Sequence, residues 1–195
     1  MLENAITPIQ QYSYTTGKNS SDSALIIDAM DLLYSKKVGG FCIVSSDSDF
    51  TRLATRLREA GMHVIGIGEK KTPKPFITAC DKFIYIEILK KESNIETTEL
   101  SKSKKESKPK IQSVNQIDDD LVRLIKKSID ETSDEDGWTF LGTLGNYILK
   151  KKTDFDSRNY GFPKLFPLIK EIGQFEVLEK EAAEPNIRHI YLKNR

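Results

Sequence analysis

The chain is poor in the residues that form disulfides and soft metal sites. Among 195 residues there are two cysteines and two histidines. Cys42 and Cys80 do not have the spacing of metal ligands, and His63 and His189 stand apart from any cysteine or carboxylate cluster. This pattern excludes a disulfide framework and argues against a zinc site. We expect both cysteines to be buried thiols.

Long apolar runs are also missing. No stretch reaches the roughly 18 to 20 uncharged apolar residues that span a bilayer, and residues 1–11 lack the basic start and apolar run of a signal peptide. A net charge of +1 indicates no particular ionic partner. We therefore expect a cytoplasmic protein without membrane contact.

Aromatic residues disappear from residues 92–116, where Ser, Lys, Glu and Thr dominate. Such a segment buries too little apolar surface to hold a structure. The composition predicts one domain over residues 1–91, a flexible linker over 92–116 and a second domain over 117–195. Glutamates interleave with the five lysines of the linker, which favours a solvated tether over a contact with phosphates.

Ahead of the linker, apolar runs alternate with amphipathic stretches. The runs "TPIQQYSY", "FCIVSS", "HVIGIG" and "FIYIEIL" are predicted strands. Helices are predicted from about Ser21 to Tyr34, from Asp49 to Ala60, and near Pro73 to Ala79. Strands that alternate with helices through short loops predict an α/β domain, with a parallel sheet covered on both faces.

Three aspartates are expected at one edge of this sheet. The stretch "IVSSDSDF" ends an apolar run with Asp47 and Asp49, and reactive groups of parallel sheets gather beyond the carboxyl ends of the strands. Asp22 lies near the centre of the apolar arc of its helix, in the first turn, where it can emerge at the same edge. Three carboxylates without a histidine indicate an oxygen-ligand site for Mg²⁺ or Mn²⁺, a chemistry that favours phosphoryl transfer.

Two other interpretations of these aspartates remain open. In a purely structural one, Asp49 is a helix N-cap and Asp47 a turn residue. In the other, "DSDFT" fits the D-x-D-x-T motif of haloacid-dehalogenase-like phosphatases, with Asp47 as the nucleophile. That chemistry needs a lysine and paired aspartates after later strands, and only Asp81 follows in this region, so the phosphatase is disfavoured.

The segments "TPIQQYSYTTGKNSSDSALIIDAMDLLY", "GFCIVSSDSDFTRLATRLREAGMHVIGIGEKKTP" and "ACDKFIYIE" resemble the NYN domain, a branch of the PIN-like metal-dependent ribonucleases, over roughly Ile6 to Leu89. The family's "K-N-x-x-D" and "S-x-D-S-D-F" segments correspond here to Lys18, Asn19 and Asp22, and to Ser45, Asp47, Asp49 and Phe50. The resemblance implies a PIN-like sheet with flanking helices and RNA cleavage with Mg²⁺ or Mn²⁺ held by the three aspartates. Lys18, Asn19 and Ser45 are then expected to contact phosphate or water.

This resemblance begins at the family's third strand. The family's first strand, which ends in another essential aspartate, is therefore expected to precede Met1. On this expectation the PIN-like sheet of the 195 residues is incomplete and lacks one catalytic ligand.

After the linker, three stretches with helical spacing are followed by "FEVLEK" and "IRHIYLK", which alternate like strands, so a winged helix is predicted. The segments "DGW", "LGNYILKKKTDFDSRNYGFPKL" and "FEV" resemble the LOTUS domain, also called OST-HTH. The resemblance implies binding of RNA, including guanine-rich structures, or of protein partners. The residues expected to contact RNA are Lys150, Lys151, Arg158 and Lys164, together with Lys152 and a base-stacking Tyr160. A solvated helix end for the lysines and a core position for Tyr160 remain the alternatives.

The sequence thus predicts a metal-dependent ribonuclease with a winged-helix RNA-binding module. The alternative is a non-catalytic RNA-binding or scaffold protein in which the nuclease part serves as a partner surface.

Overall fold

A computed structural model describes residues 6–11, 20–89, 115–181 and 188–195. All but the last two residues of the predicted linker over 92–116 lie outside these ranges. The first half contains α1 (Ser20–Ser35), β1 (Gly40–Val44), a 3-10 turn (Ser48–Phe50), α2 (Thr51–Glu59), β2 (His63–Gly68), α3 (Lys74–Ala79) and β3 (Lys82–Tyr85).

These strands form a parallel sheet in the order β1-β2-β3, so the predicted α/β fold with flanking helices is confirmed. Ile43, Gly66 and Phe83 lie side by side in the register, on the buried face of the sheet. A Cβ at Gly66 would lie 2.6 Å from the Phe83 ring and 2.7 Å from the Cys80 Sγ. The glycine is needed because helix and strand approach each other so closely here.

The buried face of the sheet carries the first hydrophobic core. Helix α2 begins after the 3-10 turn and buries Leu53, Ala54 and Leu57, the spacing of a single helix face. They form one cluster with Val64, Phe76 and Phe83, all of which are buried. The sheet and its following helices thereby fix where the loops at the strand ends lie.

The opposite face of the sheet is only partly covered by the described residues. Cys42 is exposed, Val44 is 66% exposed, and Ile65 and Ile67 are half-buried. The expectation of two covered faces is therefore wrong for the described part, and so is the expectation that Cys42 is buried. Alternation along β1 directs Cys42 away from the core, whereas Cys80 lies fully inside it.

Two predicted strands differ from the structure. Residues 7–11, the described part of the run "TPIQQYSY", have no regular secondary structure. The run "FIYIEIL" forms β3 only as far as Tyr85, and residues 86–89 are helical. Glu87 in that turn accepts a hydrogen bond from the Lys70 backbone N–H at 2.9 Å, an interaction between distant segments that the local pattern does not encode.

The second half of the chain has a winged-helix arrangement. It contains α4 (Asp119–Thr132), β4 (Thr139–Phe140), α5 (Leu141–Lys151), a 3-10 turn (Ser157–Tyr160), α6 (Leu165–Ile172), β5 (Phe175–Glu181) and β6 (Arg188–Asn194). Three helices and an antiparallel sheet in the order β4-β6-β5 match the prediction, apart from the two-residue β4. Asp118 caps α4 by accepting a hydrogen bond from the Leu121 N–H at 2.8 Å.

The winged helix has its own hydrophobic core. Helices α4, α5 and α6 contribute Ile125, Ile148 and Leu168, and the antiparallel sheet contributes Leu192. Within the described ranges, no helix has the length and apolar content needed to cross a bilayer.

The loop after α5 contacts the edge of the parallel sheet. The Phe83 N–H donates to the Thr153 carbonyl at 2.8 Å, and the Thr153 hydroxyl donates to the Ile77 carbonyl at 3.1 Å. The Tyr85 hydroxyl donates to the Asp154 carboxylate at 2.8 Å. Three hydrogen bonds thus connect α3 and β3 with residues 153 and 154 of the winged helix.

Candidate metal centre

The loop that follows β1 is fixed to the end of β2. The Ser45 N–H donates to the Ile67 carbonyl at 2.9 Å, which extends the strand pairing by one residue. The Ser46 hydroxyl accepts a hydrogen bond from the Glu69 N–H at 2.9 Å. A Cβ at Gly68 would lie 2.5 Å from the Ser45 carbonyl oxygen, so glycine allows the loop to approach this closely.

Asp47 organises the turn that follows. Its backbone is extended, with φ −89° and ψ 132°, and its carboxylate accepts a hydrogen bond from the Asp49 N–H at 2.9 Å. The Ser45 hydroxyl in turn accepts from the Asp47 N–H at 3.1 Å. A capping role therefore exists, but Asp47 performs it rather than Asp49, because the chain enters a 3-10 turn before α2 begins.

The three predicted aspartates come together in space. Asp22, in the first turn of α1, is half-buried, whereas Asp47 and Asp49 are exposed. One carboxylate oxygen from each of the three lies within 4.8 Å of the others. Like charges this close repel each other, so the arrangement favours a bound cation.

The donor set suits a hard divalent cation. All three side chains offer carboxylate oxygens, and hard cations take oxygen ligands and complete their coordination with water. The residues present therefore fit a divalent metal ion, and Asp22, Asp47 and Asp49 are the side chains that could hold it.

The other residues predicted for this site are placed differently. Ser45 lies in the loop itself, and accepting the bond from Asp47 still leaves its hydroxyl proton to donate. Lys18 and Asn19 lie outside the described residues. Ser45 therefore stands beside the aspartates, with a structural contact that the sequence alone did not indicate.

The basic residues predicted on the winged helix are partly engaged within the protein. Lys151 binds Glu131, and this hydrogen bond raises the pKa of the lysine and lowers that of the glutamate. Arg158 donates to Asp156 through Nε at 3.0 Å and Nη2 at 2.7 Å. Burial raises the pKa of Asp156, but the bonds from Arg158 lower it by more, so the pKa lies below its usual value. Arg158 therefore contributes less charge to the surface than predicted.

Lys150 and Lys164 are exposed, as an RNA contact requires. Tyr160, in contrast, is only 6% exposed and packs against Phe155, with 6.1 Å between the ring centroids. The structure thus supports the core position for Tyr160 and not a stacking platform for a base. Its hydroxyl accepts a hydrogen bond from the Lys152 ammonium group at 3.2 Å.

Sequence reasoning missed that Arg58 and Lys74 lie near Lys150, where they line the same cavity. These residues come from α2, α3 and α5, and no local pattern links them. Only the packing of the loop after α5 on β3 brings them together.

Comparison with known proteins gives matches over both halves of the chain. The family model of the NYN domain matches residues 1–87, and that of the OST-HTH/LOTUS domain matches residues 112–187. Among solved structures, the solution NMR structure of an uncharacterized protein from Nitrosomonas europaea is 28% identical, covers 49% of this chain and 90% of that chain, and has a TM-score of 0.39. None of the curated proteins compared with the chain matches it significantly.

Proposed function

Because the chain consists of an NYN domain followed by an OST-HTH/LOTUS domain, we propose that it is a metal-dependent ribonuclease with a winged-helix module that binds RNA. NYN is a nuclease-type domain and OST-HTH/LOTUS domains bind RNA, so both halves support a function in RNA metabolism. The observation that carries the catalytic part is the convergence of three carboxylates within 4.8 Å. We propose that the protein acts in the cytoplasm.

The proposal assigns a role to each residue at the site. Asp22, Asp47 and Asp49 hold Mg²⁺ or Mn²⁺. Such a cation supplies charge stabilisation for phosphodiester hydrolysis. Ser45 fixes the Asp47 loop and donates a hydrogen bond to a phosphate oxygen or water.

Other predicted residues contact phosphate, water or RNA. Lys18 and Asn19 are proposed to contact phosphate or water. Lys150 and Lys164, which are exposed, contribute most to RNA binding by the winged helix, and Lys151 and Arg158 contribute less because they bind Glu131 and Asp156.

A non-catalytic RNA-binding or scaffold protein is the second candidate. The observation in its favour is the groove of about 380 Å³ between α1 and β1, which is lined by apolar residues such as Leu25, Leu32 and Val44. These three side chains are 41%, 48% and 66% exposed. An apolar surface of this kind suits a protein partner.

Two measurements test the nuclease. Electron paramagnetic resonance follows Mn²⁺ binding to the wild type, to Asp47→Asn and to a control variant, Asp31→Asn, which removes an exposed carboxylate elsewhere on α1. Gel electrophoresis follows cleavage of labelled single-stranded RNA by the same proteins.

We expect Mn²⁺ binding in the wild type and in Asp31→Asn, with loss of roughly ten-fold or more in affinity for Asp47→Asn. Cleavage that depends on Mn²⁺ and disappears in Asp47→Asn supports the nuclease. If the protein binds RNA but does not cut it in Mn²⁺, the catalytic proposal is wrong and the second candidate replaces it.

A further inference from the structure

A cleft of about 730 Å³ runs between α3 and the end of α5, where the winged helix meets the parallel sheet. We call it the basic cleft. Its lining includes Arg58, Lys74, Lys150, Lys151 and Lys152 as basic residues and Asp154 as the acidic one. Positive groups from both halves of the chain therefore face one space.

The charges in this cleft are not all neutralised. Lys74 and Lys150 are exposed and have no ion pair within the described part of the chain. Lys152 binds the neutral hydroxyl of Tyr160. Burial lowers the pKa of Lys152, but Tyr160 and nearby carboxylates raise it by more, so it keeps its positive charge at neutral pH.

The other two cations already have acidic partners. Arg58 Nε lies 2.9 Å from the Asp81 carboxylate, and Lys151 binds Glu131. The groups that remain for a ligand are therefore mainly lysine ammonium groups, which act as point charges and bind phosphate without a fixed geometry. Bidentate recognition of carboxylates uses arginine, and the arginine of this cleft is engaged with Asp81.

The two walls of the cleft are held together by the loop at its base. Thr153 binds α3 and β3 through two hydrogen bonds, and Asp154 accepts a third from Tyr85. A cleft that exists before binding costs little conformational entropy when a ligand enters. Its volume lies within the range of small-ligand pockets, so a few nucleotides of a flexible single strand fit its size.

We propose that the basic cleft binds the phosphate backbone of single-stranded RNA, with Lys74 on one wall and Lys150 and Lys152 on the other. The proposal rests on the proposed function for its substrate class and adds that both halves of the chain bind the same strand. Lys74 begins α3, which follows β2, and the aspartates follow β1 at the same edge of the sheet. The proposed RNA site therefore includes Lys74 from the connection after β2, and β2 is the neighbour of the strand whose connection carries Asp47 and Asp49.

Fluorescence anisotropy with a labelled oligouridylate in EDTA tests this proposal, since binding without a divalent metal is separate from cleavage. The variant Lys74→Ala/Lys150→Ala removes one exposed charge from each wall. The control, Lys37→Ala/Lys170→Ala, removes two exposed lysines outside the cleft. A third variant, Lys74→Arg/Lys150→Arg, keeps both charges.

We expect the dissociation constant of the cleft variant to rise about five-fold or more at moderate salt. The slope of log K against log salt concentration should shrink by about 1.4, at about 0.7 for each lost contact with a single strand. The control should change much less, and the arginine variant should retain most of the affinity.

Equal binding by the cleft variant and the control would overturn the proposal. So would displacement of the RNA by polyglutamate as effectively as by unlabelled RNA, because the cleft would then be a surface for acidic proteins. Failure of the nuclease proposal appears separately, as RNA binding in EDTA without cleavage in Mn²⁺.

Discussion

Asp47 has a structural contact in addition to its place among the three aspartates. Its carboxylate accepts the Asp49 N–H and so begins the 3-10 turn that leads into α2. A capping oxygen is needed whether or not a cation binds, whereas the negative charge is needed only for the cation. A substitution that keeps the side-chain oxygen of Asp47 but removes its charge therefore distinguishes the capping role from the metal-binding role.

Asp47→Asn should leave the free energy of unfolding nearly unchanged, because its amide oxygen still accepts the hydrogen bond. Asp47→Ala should lower it by about 1 kcal/mol, the usual effect of a lost N-cap. Urea denaturation followed by circular dichroism measures both. Equal stability of the alanine variant and the wild type would show that the cap contributes nothing.

The two cysteines should differ in reactivity. Burial raises the pKa of the Cys80 thiol to about 11, while Cys42 is exposed on the partly covered face of the sheet. The thiolate is the reactive form, so iodoacetamide at pH 8 should alkylate Cys42 in the native protein and Cys80 only after unfolding.

Mass spectrometry of the digested protein locates the label, and Cys42→Ser serves as the control that should take up none while native. In the folded state the Cys80 thiol keeps its proton at pH values above its unfolded pKa of 9.0. The contribution of this thiol to the free energy of unfolding is therefore lost as the pH rises from about 9 to about 11. Rapid native labelling of Cys80 at pH 8 would contradict its burial.

At the scale of elements, the predicted bounds of α1, α2 and α3 lie within two residues of those in the structure. Helix α2 shows the reason most clearly, because it pairs a buried apolar face with a polar one. Periodicity failed where the structure depends on distant contacts. Strand β4 has two residues and exists because it pairs with β6, about fifty residues later in the chain. The end of β3 at Tyr85 and the exposure of Cys42 likewise depend on which segments cover the sheet.

The candidate metal centre was more predictable than these elements. The chain places Asp47 and Asp49 directly after a strand and Asp22 in the first turn of a helix, and parallel topology then brings them to one edge. The contact between Arg158 and Asp156, and the burial of Tyr160, could not be predicted, because a loop with mixed charges has no period.

The contact between β3 and the loop after α5 gives a prediction at the level of these elements. Tyr85→Phe removes the hydroxyl that binds Asp154 and keeps the ring, which packs on Phe83 at 5.4 Å between centroids. We expect the free energy of unfolding to fall by roughly 0.5 to 1.5 kcal/mol, the net value of one hydrogen bond.

Urea denaturation measures this change, and Tyr34→Phe is the matched control, because Tyr34 is 68% exposed. A decrease of the same size in both variants would mean that the Tyr85 hydroxyl makes no specific contribution. No decrease in either would show that Asp154 does not stabilise the contact.

On the scale of the whole molecule, the described residues form two hydrophobic cores. Hydrogen bonds of residues 153 and 154 connect the domains that contain them. The acidic centre follows β1, and the basic cleft is lined by α3, the end of β3 and the end of α5. This layout agrees with the proposed function, in which the lysines attract the RNA and the RNA is hydrolysed near the carboxylates.

The bond between the Phe83 N–H and the Thr153 carbonyl has one more consequence. β3 is one of the two edge strands of the parallel sheet in the described part of the chain, and an edge strand offers its backbone groups to any other strand that approaches. Thr153 already occupies the donor at the middle of that edge. The winged helix therefore also makes this edge of the sheet less available for pairing with other chains.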